Sequence, residues 1–382
     1  MRILINAIPL LGEESGIGNY TRQIAGAVAS ASADFDLTFF YGYPSRRLVP
    51  EQRANYGSWL GSLRGLARKA SIARRIGKKI LYLANKTANA VRPRVWDCYF
   101  EPNFILLPTL RAEHKIIAVH DFSCFRYPEW HPADRVRHME KFFWKSVVQA
   151  DRIITVSDAI RSEGIKMFNI PANKITTIPN GVDHRRYKPA SEQAIASLRS
   201  RYGLPRKFIL YVGALEPRKN LINLIKAHAQ LPQKDREAYP LLLIGSQGWN
   251  NAEIMDSIRR QAPCSRLLGY VPSDDLPAFY SAATFFAYPS WYEGFGLPAL
   301  EAMACGRAVL TSTDPAVDEL CAGASLVAAP DDVEGMAKHM ERLLHDEQLR
   351  AGLEQAALKK ASAYSWDKSA RAHMDLFRQT AC

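Results

Sequence analysis

The chain has 382 residues, enough for two or three domains, and its 47% hydrophobic and 23% charged residues are ordinary for a globular protein. No apolar run approaches the roughly 18–20 residues of a membrane-spanning helix, and we expect a cytoplasmic location. The net charge is +12, and the six cysteines show no spacing that suits a zinc site, so we expect reduced thiols.

Apolar runs alternate with longer amphipathic stretches along the whole chain. Most of these runs are continuous, as expected for parallel strands that are buried on both faces. The predicted strands are residues 2–7, 36–41, 115–119, 152–156 and 174–178, then 208–212, 241–244, 266–268, 284–288, 308–311 and 325–328. The sequence therefore predicts an α/β fold with two doubly wound, Rossmann-like domains.

The domain boundary is predicted where this series restarts, near residues 185–200. That gives an N-terminal domain of residues 1–190 and a C-terminal domain of residues 191–365. The last segment, residues 366–382, is amphipathic and could pack on either domain.

A glycine-containing loop follows the first predicted strand. Gly16 and Gly18 allow close approach of a ligand to the backbone, and the helix behind them favours an anion such as phosphate. Thr21 replaces the third glycine of a dinucleotide-binding fingerprint, which argues against NAD. A plain turn remains the alternative. Asp34-Phe35-Asp36 matches a D-x-D metal signature but stands apart from the other motifs, and we interpret it as a surface turn.

Most of the positive charge lies in one segment, residues 52–96. It holds eleven basic and no acidic residues, and its apolar residues recur at helical spacing. Basic amphipathic helices bind anionic bilayers, so the segment predicts docking on a membrane surface. A solvated helix face is the alternative. Nucleic acid is disfavoured because no nucleic-acid-binding module accompanies the segment.

A second anion site is predicted in residues 289–306. Pro298 suits the first turn of a helix and Gly306 its end, while Gly294 and Gly296 leave amides open at the positive end of the helix. Glu293 and Glu301 flank this turn, eight residues apart. Two acceptors on either side of a phosphate site suit a nucleotide sugar, and two surface glutamates are the alternative.

His120 follows the apolar run of residues 116–119. It is therefore expected at the carboxyl end of a strand, where open α/β sheets bind ligands. A histidine that only packs in this position is the alternative interpretation.

The stretch E-G-F-G-L-P-A-L-E, residues 293–301, resembles the E-x7-E element of the retaining GT-B glycosyltransferases of family four. Further elements of that family occur in order along nearly the whole chain. They are Gly16/Gly18, His120-Asp121, the P-N-G-V-D of residues 179–183, the E-P-R-K-N of residues 216–220, the L-G-Y-V-P of residues 268–272, and Trp366.

The resemblance implies a role for each matching residue. Glu301 would accept from the ribose hydroxyls and Glu293 from hydroxyls of the donor sugar. Lys219 and Arg218 would neutralise the diphosphate, His120 would lie over the reacting sugar, and Trp366 would begin a helix that crosses back to the N-terminal domain. The remaining contacts to the donor would come from Gly16, Gly18, Val271, Gly294, Phe295, Gly296 and Leu297.

The resemblance also implies retaining transfer of a hexose from a nucleotide-diphosphate sugar, without metal or cofactor. The P-R-K-N and H-D-F-S segments are most similar to bacterial mannosyl- and rhamnosyltransferases of O-antigen assembly. We therefore expect GDP-mannose or GDP-rhamnose as donor and a lipid-linked saccharide as acceptor, on the inner face of the cytoplasmic membrane. A UDP-sugar donor, an epimerase or hydrolase of the same fold, and an inactive binding module remain alternatives. Ala214 departs from the family, because many members carry arginine there. Either Arg218 replaces that charge, or Lys219 and backbone amides alone hold the phosphate.

Overall fold

The computed structural model describes residues 1–11, 16–31, 34–49, 96–261 and 264–381. Within them lies a seven-stranded sheet of order β3-β2-β1-β4-β5-β6-β7, parallel except for the β2–β3 pair. Its strands are β1 (Arg2–Asn6), β2 (Asp36–Phe40), β3 (Pro44–Ser45), β4 (Trp96–Glu101), β5 (Ala112–Val119), β6 (Arg152–Thr155) and β7 (Ile175–Thr177).

A second, fully parallel sheet has the order β10-β9-β8-β11-β12-β13 within the same residues. Its strands are β8 (Ile209–Val212), β9 (Leu241–Ile244), β10 (Ser265–Gly269), β11 (Phe285–Tyr288), β12 (Val309–Ser312) and β13 (Ser325–Ala328). In each sheet the order in which strands are added reverses once, between β1 and β4 in the first sheet and between β8 and β11 in the second. Ligand crevices of open α/β sheets open at such points, outside the carboxyl ends of the strands.

Helices cover both sheets. In the first half they are α1 (Gly16–Ala31), α2 (Ser123–Arg126), α3 (Ala133–Gln149) and α4 (Asp158–Phe168). In the second half they are α5 (Glu192–Tyr202), α6 (Leu221–Gln230), α7 (Gln233–Ala238), α8 (Ala252–Arg260), α9 (Leu276–Ala282), α10 (Leu297–Ala304), α11 (Pro315–Cys321), α12 (Val333–His345), α13 (Glu347–Ala361) and α14 (Trp366–Ala381). The predicted α/β class with two doubly wound sheets is confirmed.

Two strands of the first sheet were missing from the sequence prediction. β3 is a two-residue antiparallel edge, but β4 is central and pairs with β1 and β5. Asp97 and Glu101 interrupt the apolar pattern of β4, so the sequence pattern did not predict this strand. The neighbouring strand β1 satisfies both carboxylates, because Arg2 binds Asp97 at 2.7 Å and Asn6 donates to Glu101 at 2.8 Å.

The terminal helix α14 follows the second domain in sequence but packs on the first. Its His373 lies with Nε2 2.7 Å from the Tyr20 hydroxyl of α1. The rings of Phe377 and Phe100 are 5.4 Å apart, and that of Trp366, the first residue of the helix, lies 6.4 Å from Tyr20. These aromatic contacts tie the end of the chain to the first sheet and bring Trp366 beside the loop that follows β1.

Candidate active site

A cavity of about 300 Å³ lies between the two sheets. Its first-domain wall includes Pro9, Leu10, Gly16, Gly18, Asn19, Arg22 and Gln23. Its opposite wall includes Val212, Ser273, Leu276, Leu297, Pro298 and Glu301, and Trp366 also lines it. Gly16 and Gly18, which were predicted to lie in a loop, form the first turn of α1, and this turn faces the same space as the start of α10.

The loop before α10 presents the helix start to this cavity. Gly296 adopts a φ of 102°, a left-handed conformation that favours glycine, and turns the chain into the helix at Leu297. Pro298 occupies the first turn, where its missing amide costs no hydrogen bond. The remaining first-turn amides and the helix dipole give this end of the cavity a positive potential.

Glu293 lies at the centre of a buried charge cluster. Its Oε1 is 2.5 Å from Lys219 Nζ, and its Oε2 is 2.8 Å from Arg218 Nη1. Lys219 also donates to the Tyr288 hydroxyl at 2.8 Å. The two cations outweigh burial and lower the pKa of Glu293 to about 2, so its carboxylate is ionised at neutral pH.

Arg218 is held on several sides. Besides Glu293 it binds the Glu216 carboxylate at 2.9 Å and the carbonyl of Tyr292 at 2.9 Å. Glu293 and Glu216, with Asp121 of the first domain, keep its pKa well above the usual value despite burial. Its guanidinium therefore orients Glu293 in this structure. Ala214 supplies no charge of its own here, and the cationic groups at this turn are Arg218 and Lys219.

Asp314 holds the backbone of Glu293 in place. Its Oδ2 accepts from the Glu293 amide at 3.2 Å, while its Oδ1 accepts from Ala316 and Val317 in the first turn of α11. Burial raises the pKa of Asp314 to about 7, and the nearby Glu293 charge acts in the same direction. The Glu293 turn is thus fixed from outside the 293–301 motif.

Glu301 lies inside α10 and lines the cavity. Its Oε2 accepts from the Tyr280 hydroxyl at 2.9 Å, and Tyr187 is a second hydrogen-bonding neighbour. Burial raises the pKa of Glu301 to about 7 and outweighs the two tyrosine hydrogen bonds and the Arg186 charge, which act in the opposite direction. The two glutamates of one motif therefore have opposite electrostatic environments.

His120 stands at the end of β5, as the sequence predicts. Its Nε2 is 2.8 Å from the carbonyl oxygen of Pro102, and its ring packs edge-on against Tyr20 at 4.8 Å and Phe104 at 5.4 Å. Burial lowers the pKa of His120, so the imidazole is neutral. A neutral ring that donates from Nε2 keeps Nδ1 as an acceptor.

The two domains touch at the Glu293 turn. A Cβ on Gly294 would lie 1.9 Å from the carbonyl oxygen of His120, so only glycine fits. Ser157 donates to the Gly294 carbonyl at 2.8 Å, and the Tyr292 hydroxyl accepts from the Phe122 amide at 2.9 Å. These contacts place His120 directly against the turn.

Most of the sequence-predicted site residues are thus brought together. Gly16, Gly18, Leu297 and Glu301 share the cavity, while His120, Gly294, Glu293, Lys219 and Arg218 form a connected cluster beside it. The side chains of Val271 and Phe295 do not line the cavity. Both are buried, and the ring of Phe295 packs on Tyr364. Only their backbones could contact a ligand, which is the kind of contact that the resemblance implies for them.

Several neighbours of the site were missing from the prediction. Arg186 and Tyr187, on the connection between the sheets, line the cavity, and Glu216 and Tyr288 complete the charge cluster. The segment that connects two facing domains passes the crevice between them. The predicted domain boundary near residues 185–200 was therefore a signal for Arg186 and Tyr187. The contacts of Tyr288 depend on strand packing and had no local signal.

Comparison with known proteins agrees with this arrangement. Residues 15–186 match the family described as Glycosyltransferase Family 4, and residues 197–360 match Glycosyl transferases group 1. The chain is 36% identical over 377 residues to the O-antigen chain mannosyltransferase B of Escherichia coli, covering 96% of this chain and 97% of that protein. It is 32% identical over 234 residues to the serotype-specific mannosyltransferase WbdA of Escherichia coli, which is 60% of this chain and 29% of that protein.

Solved structures share the fold at low sequence identity. Anabaena Alr3699/HepE in complex with UDP-glucose has a TM-score of 0.72 at 20% identity, over 99% of this chain and all of that one. WaaG, a glycosyltransferase involved in lipopolysaccharide biosynthesis, has a TM-score of 0.69 at 15% identity, over 99% of each chain. The predicted GT-B architecture is confirmed.

Proposed function

The chain belongs to the family-four GT-B glycosyltransferases and is a hexosyltransferase, and from that premise we propose that it transfers mannose from GDP-mannose to a lipid-linked saccharide in O-antigen-type polysaccharide synthesis. The observation that carries the proposal is the 36% identity to an O-antigen mannosyltransferase over 96% of the chain. A second candidate is rhamnose transfer from GDP-rhamnose, because the P-R-K-N and H-D-F-S segments are most similar to bacterial mannosyl- and rhamnosyltransferases of O-antigen assembly.

The cavity between the sheets is the proposed donor site. Glu301 would accept from the ribose hydroxyls, and the backbone near Val271 would contact the base. The diphosphate would lie between the first turn of α1, at Gly16 and Gly18, and the amides at the start of α10. This placement is supported by the cavity lining, which joins Gly16, Gly18, Leu297 and Glu301.

The sugar would extend from the diphosphate toward the Glu293 turn. Glu293 would accept from its hydroxyls and His120 would lie over its ring. The contact between Gly294 and the His120 carbonyl supports this, because it places both groups at one junction of the domains. Donor binding would then exchange part of the Glu293 ion pairs for contacts to diphosphate and sugar.

The proposed reaction retains the anomeric configuration. A hydroxyl oxygen of the acceptor forms a bond to C1 of the donor sugar on the face that the diphosphate leaves, while the C1–O bond to phosphate breaks. The bonding electrons stay on the phosphate oxygen, which takes the hydroxyl proton. Lys219, Arg218 and the α10 amides would stabilise the charge that develops on the leaving group.

We propose that these fixed charges serve the transfer without a metal ion. In the part of the chain that the structure describes, no group of three or more His, Cys, Asp or Glu side chains could hold a metal ion. Asp36 of the D-x-D segment pairs with Arg46 instead.

We also propose that the protein docks on the inner face of the cytoplasmic membrane. The basic segment 52–96 lies outside the described residues except for Trp96. No described helix is long and apolar enough to cross a bilayer. The net charge of the segment supports attraction to anionic lipid.

Transfer of radiolabel from GDP-mannose into a lipid-linked oligosaccharide tests the function. The proposal expects label in the lipid fraction, with UDP-glucose and other UDP-sugars inactive. Label that appears only as free mannose would indicate a hydrolase, and label in an isomeric nucleotide sugar would indicate an epimerase. Transfer from a UDP-sugar alone would overturn the GDP-sugar assignment.

A further inference from the structure

The loop after β5 carries a carboxylate that the proposed donor site does not use. Asp121 Oδ1 accepts from the Ser123 amide at 2.9 Å and from the Ser123 hydroxyl at 2.6 Å. Among the described residues, none donates a hydrogen bond to Oδ2. The Arg218 guanidinium and the two Ser123 bonds lower the pKa of Asp121, despite its burial. Asp121 is thus an ionised carboxylate, fixed in one orientation, with one oxygen uncommitted.

His131, ten residues further along, is a second side chain with unused hydrogen-bonding atoms among the described residues. It is only 7% exposed, and neither ring nitrogen has a hydrogen-bond partner in the described part of the chain. Burial and the Arg135 charge lower its pKa and outweigh the opposing effect of the Asp121 carboxylate, so the ring is neutral. A buried imidazole with both nitrogens unsatisfied costs free energy, which a bound ligand could recover.

An aromatic wall from both domains stands beside these groups. The indole of Trp249, in the loop after β9, donates to the carbonyl of Trp130 and lies 5.8 Å from the His131 ring. Tyr127 stacks on Trp130 at 4.1 Å. The Arg135 guanidinium lies 5.3 Å from the centre of the Trp249 ring system. The wall therefore crosses the gap between the domains.

Asp121 also lies against the proposed sugar site. A Cβ on Gly294 would be 3.4 Å from the Cβ of Asp121, and the Arg218 guanidinium acts on both Glu293 and Asp121. The Asp121 carboxylate is therefore next to the turn at which we place the donor sugar, on the first-domain side of it.

We propose that Asp121, His131 and Trp249 form the subsite for the terminal sugar of the acceptor, a neutral hexopyranoside. This inference rests on the proposed function. The free Oδ2 accepts from a hydroxyl next to the attacking one and so orients the acceptor, while the attacking hydroxyl keeps its own proton for the departing phosphate. His131 offers one donor and one acceptor to a neighbouring hydroxyl, and the indoles offer apolar faces to the ring.

The charges favour a sugar over a phosphate as the occupant. The uncommitted oxygen of Asp121 is anionic and would repel a phosphate that touches it. The two nearby cations are already engaged, Arg218 by Glu216 and Glu293 and Arg135 by the Trp249 ring. His131 is neutral and can pair with hydroxyls in either direction. A lipid pyrophosphate would therefore lie elsewhere, and the saccharide end of the acceptor would enter here.

Steady-state kinetics of Asp121→Asn and His131→Gln test the subsite, with a mannose-terminated lipid-linked oligosaccharide varied at saturating GDP-mannose. Losing one hydrogen bond to a substrate hydroxyl raises KM for the acceptor about tenfold to hundredfold. KM for GDP-mannose and the slow hydrolysis of donor without acceptor stay within twofold of wild type. Asp256→Asn, on the exposed face of α8, is the matched control and leaves all constants unchanged.

An acceptor KM within twofold of wild type in both variants, at unchanged thermal stability, overturns the subsite. If Asp121→Asn does not fold, His131→Gln alone decides in the same way. A wild-type protein that transfers no sugar from any nucleotide sugar overturns the proposed function instead, and the subsite with it.

Discussion

Glu293 and Lys219 form a buried ion pair, with 2.5 Å between Oε1 and Nζ, on two elements separated by more than seventy residues of sequence. Arg218 binds the second carboxylate oxygen, so one anion is balanced by two cations. All three groups were predicted to contact the donor, and in this structure they contact one another. Binding of a diphosphate would redistribute these bonds among charges that are already in place.

Replacing Glu293 with glutamine leaves Lys219 and Arg218 without their shared anion. Breaking a buried pair in this way costs about 3–5 kcal/mol in the free energy of unfolding. Because the pKa of Glu293 is lowered to about 2, its stabilising effect is present above the unfolded pKa near 4.5 and is lost as the pH falls through the folded value. Urea denaturation at pH 7 measures the loss. Glu347→Gln, at a side chain that is 86% exposed, is the control, and equal midpoints for both variants would contradict the pairing.

Lys219→Met removes the cation from the same cluster while keeping a side chain of similar length. If Lys219 stabilises charge on the leaving diphosphate, the rate constant of transfer falls roughly 10²–10³-fold. The loss should appear in kcat at saturating donor, measured by label transfer from GDP-mannose. Lys338→Met, on the exposed side of α12, should retain the wild-type rate. A kcat within twofold of wild type for Lys219→Met would show that Lys219 does not stabilise charge on the leaving diphosphate.

Gly294→Ala tests the junction of the domains. The added Cβ would lie 1.9 Å from the His120 carbonyl, so the turn and the histidine must move apart. A misplacement of this kind can reduce the transfer rate about 100-fold. Gly352→Ala in α13 has nothing within 4 Å of its new Cβ and is expected to stabilise the helix by about 1 kcal/mol with full activity. Equal activities of the two variants would show that the contact is unimportant.

The raised pKa of Glu301 predicts that its contribution to the free energy of unfolding changes with pH in the opposite direction to that of Glu293. Its pKa is about 7 in the folded state and 4.5 in the reference state, so the folded protein holds the proton more tightly. Stability is therefore greatest below the unfolded pKa and falls as the pH rises through the folded one. Between pH 5 and pH 8 wild type should lose roughly 2–3 kcal/mol relative to Glu301→Gln, measured by urea denaturation. If the difference in unfolding free energy between the two proteins were the same at pH 5 and pH 8, the pKa of Glu301 would not be raised in the folded state.

The sequence predicted the parts of the site that have local signals. Pro298 and Gly306 marked the limits of α10, and the end of a buried strand marked His120. β4 was missed because Asp97 and Glu101 break the apolar pattern, and only the pairing with β1 explains how they are accommodated.

Contacts between distant segments could not be predicted in the same way. That Asp314 accepts from the Glu293 amide, and that Arg218 is shared by Glu216 and Glu293, follows from how the strands and loops of the second domain pack. These contacts decide which carboxylates are ionised. The sequence gives the residue types but not their distances, so the opposite pKa shifts of Glu293 and Glu301 had no signal within the motif.

A crystal structure of the protein with GDP-mannose tests the central claim most directly, namely that one nucleotide sugar binds between the domains. The account predicts ribose hydroxyls within hydrogen-bond distance of Glu301 and a diphosphate that contacts both the Leu297 amide and Lys219. The mannose should lie between Glu293 and His120. A nucleotide bound outside the cavity, or one whose ribose does not reach Glu301, would contradict it.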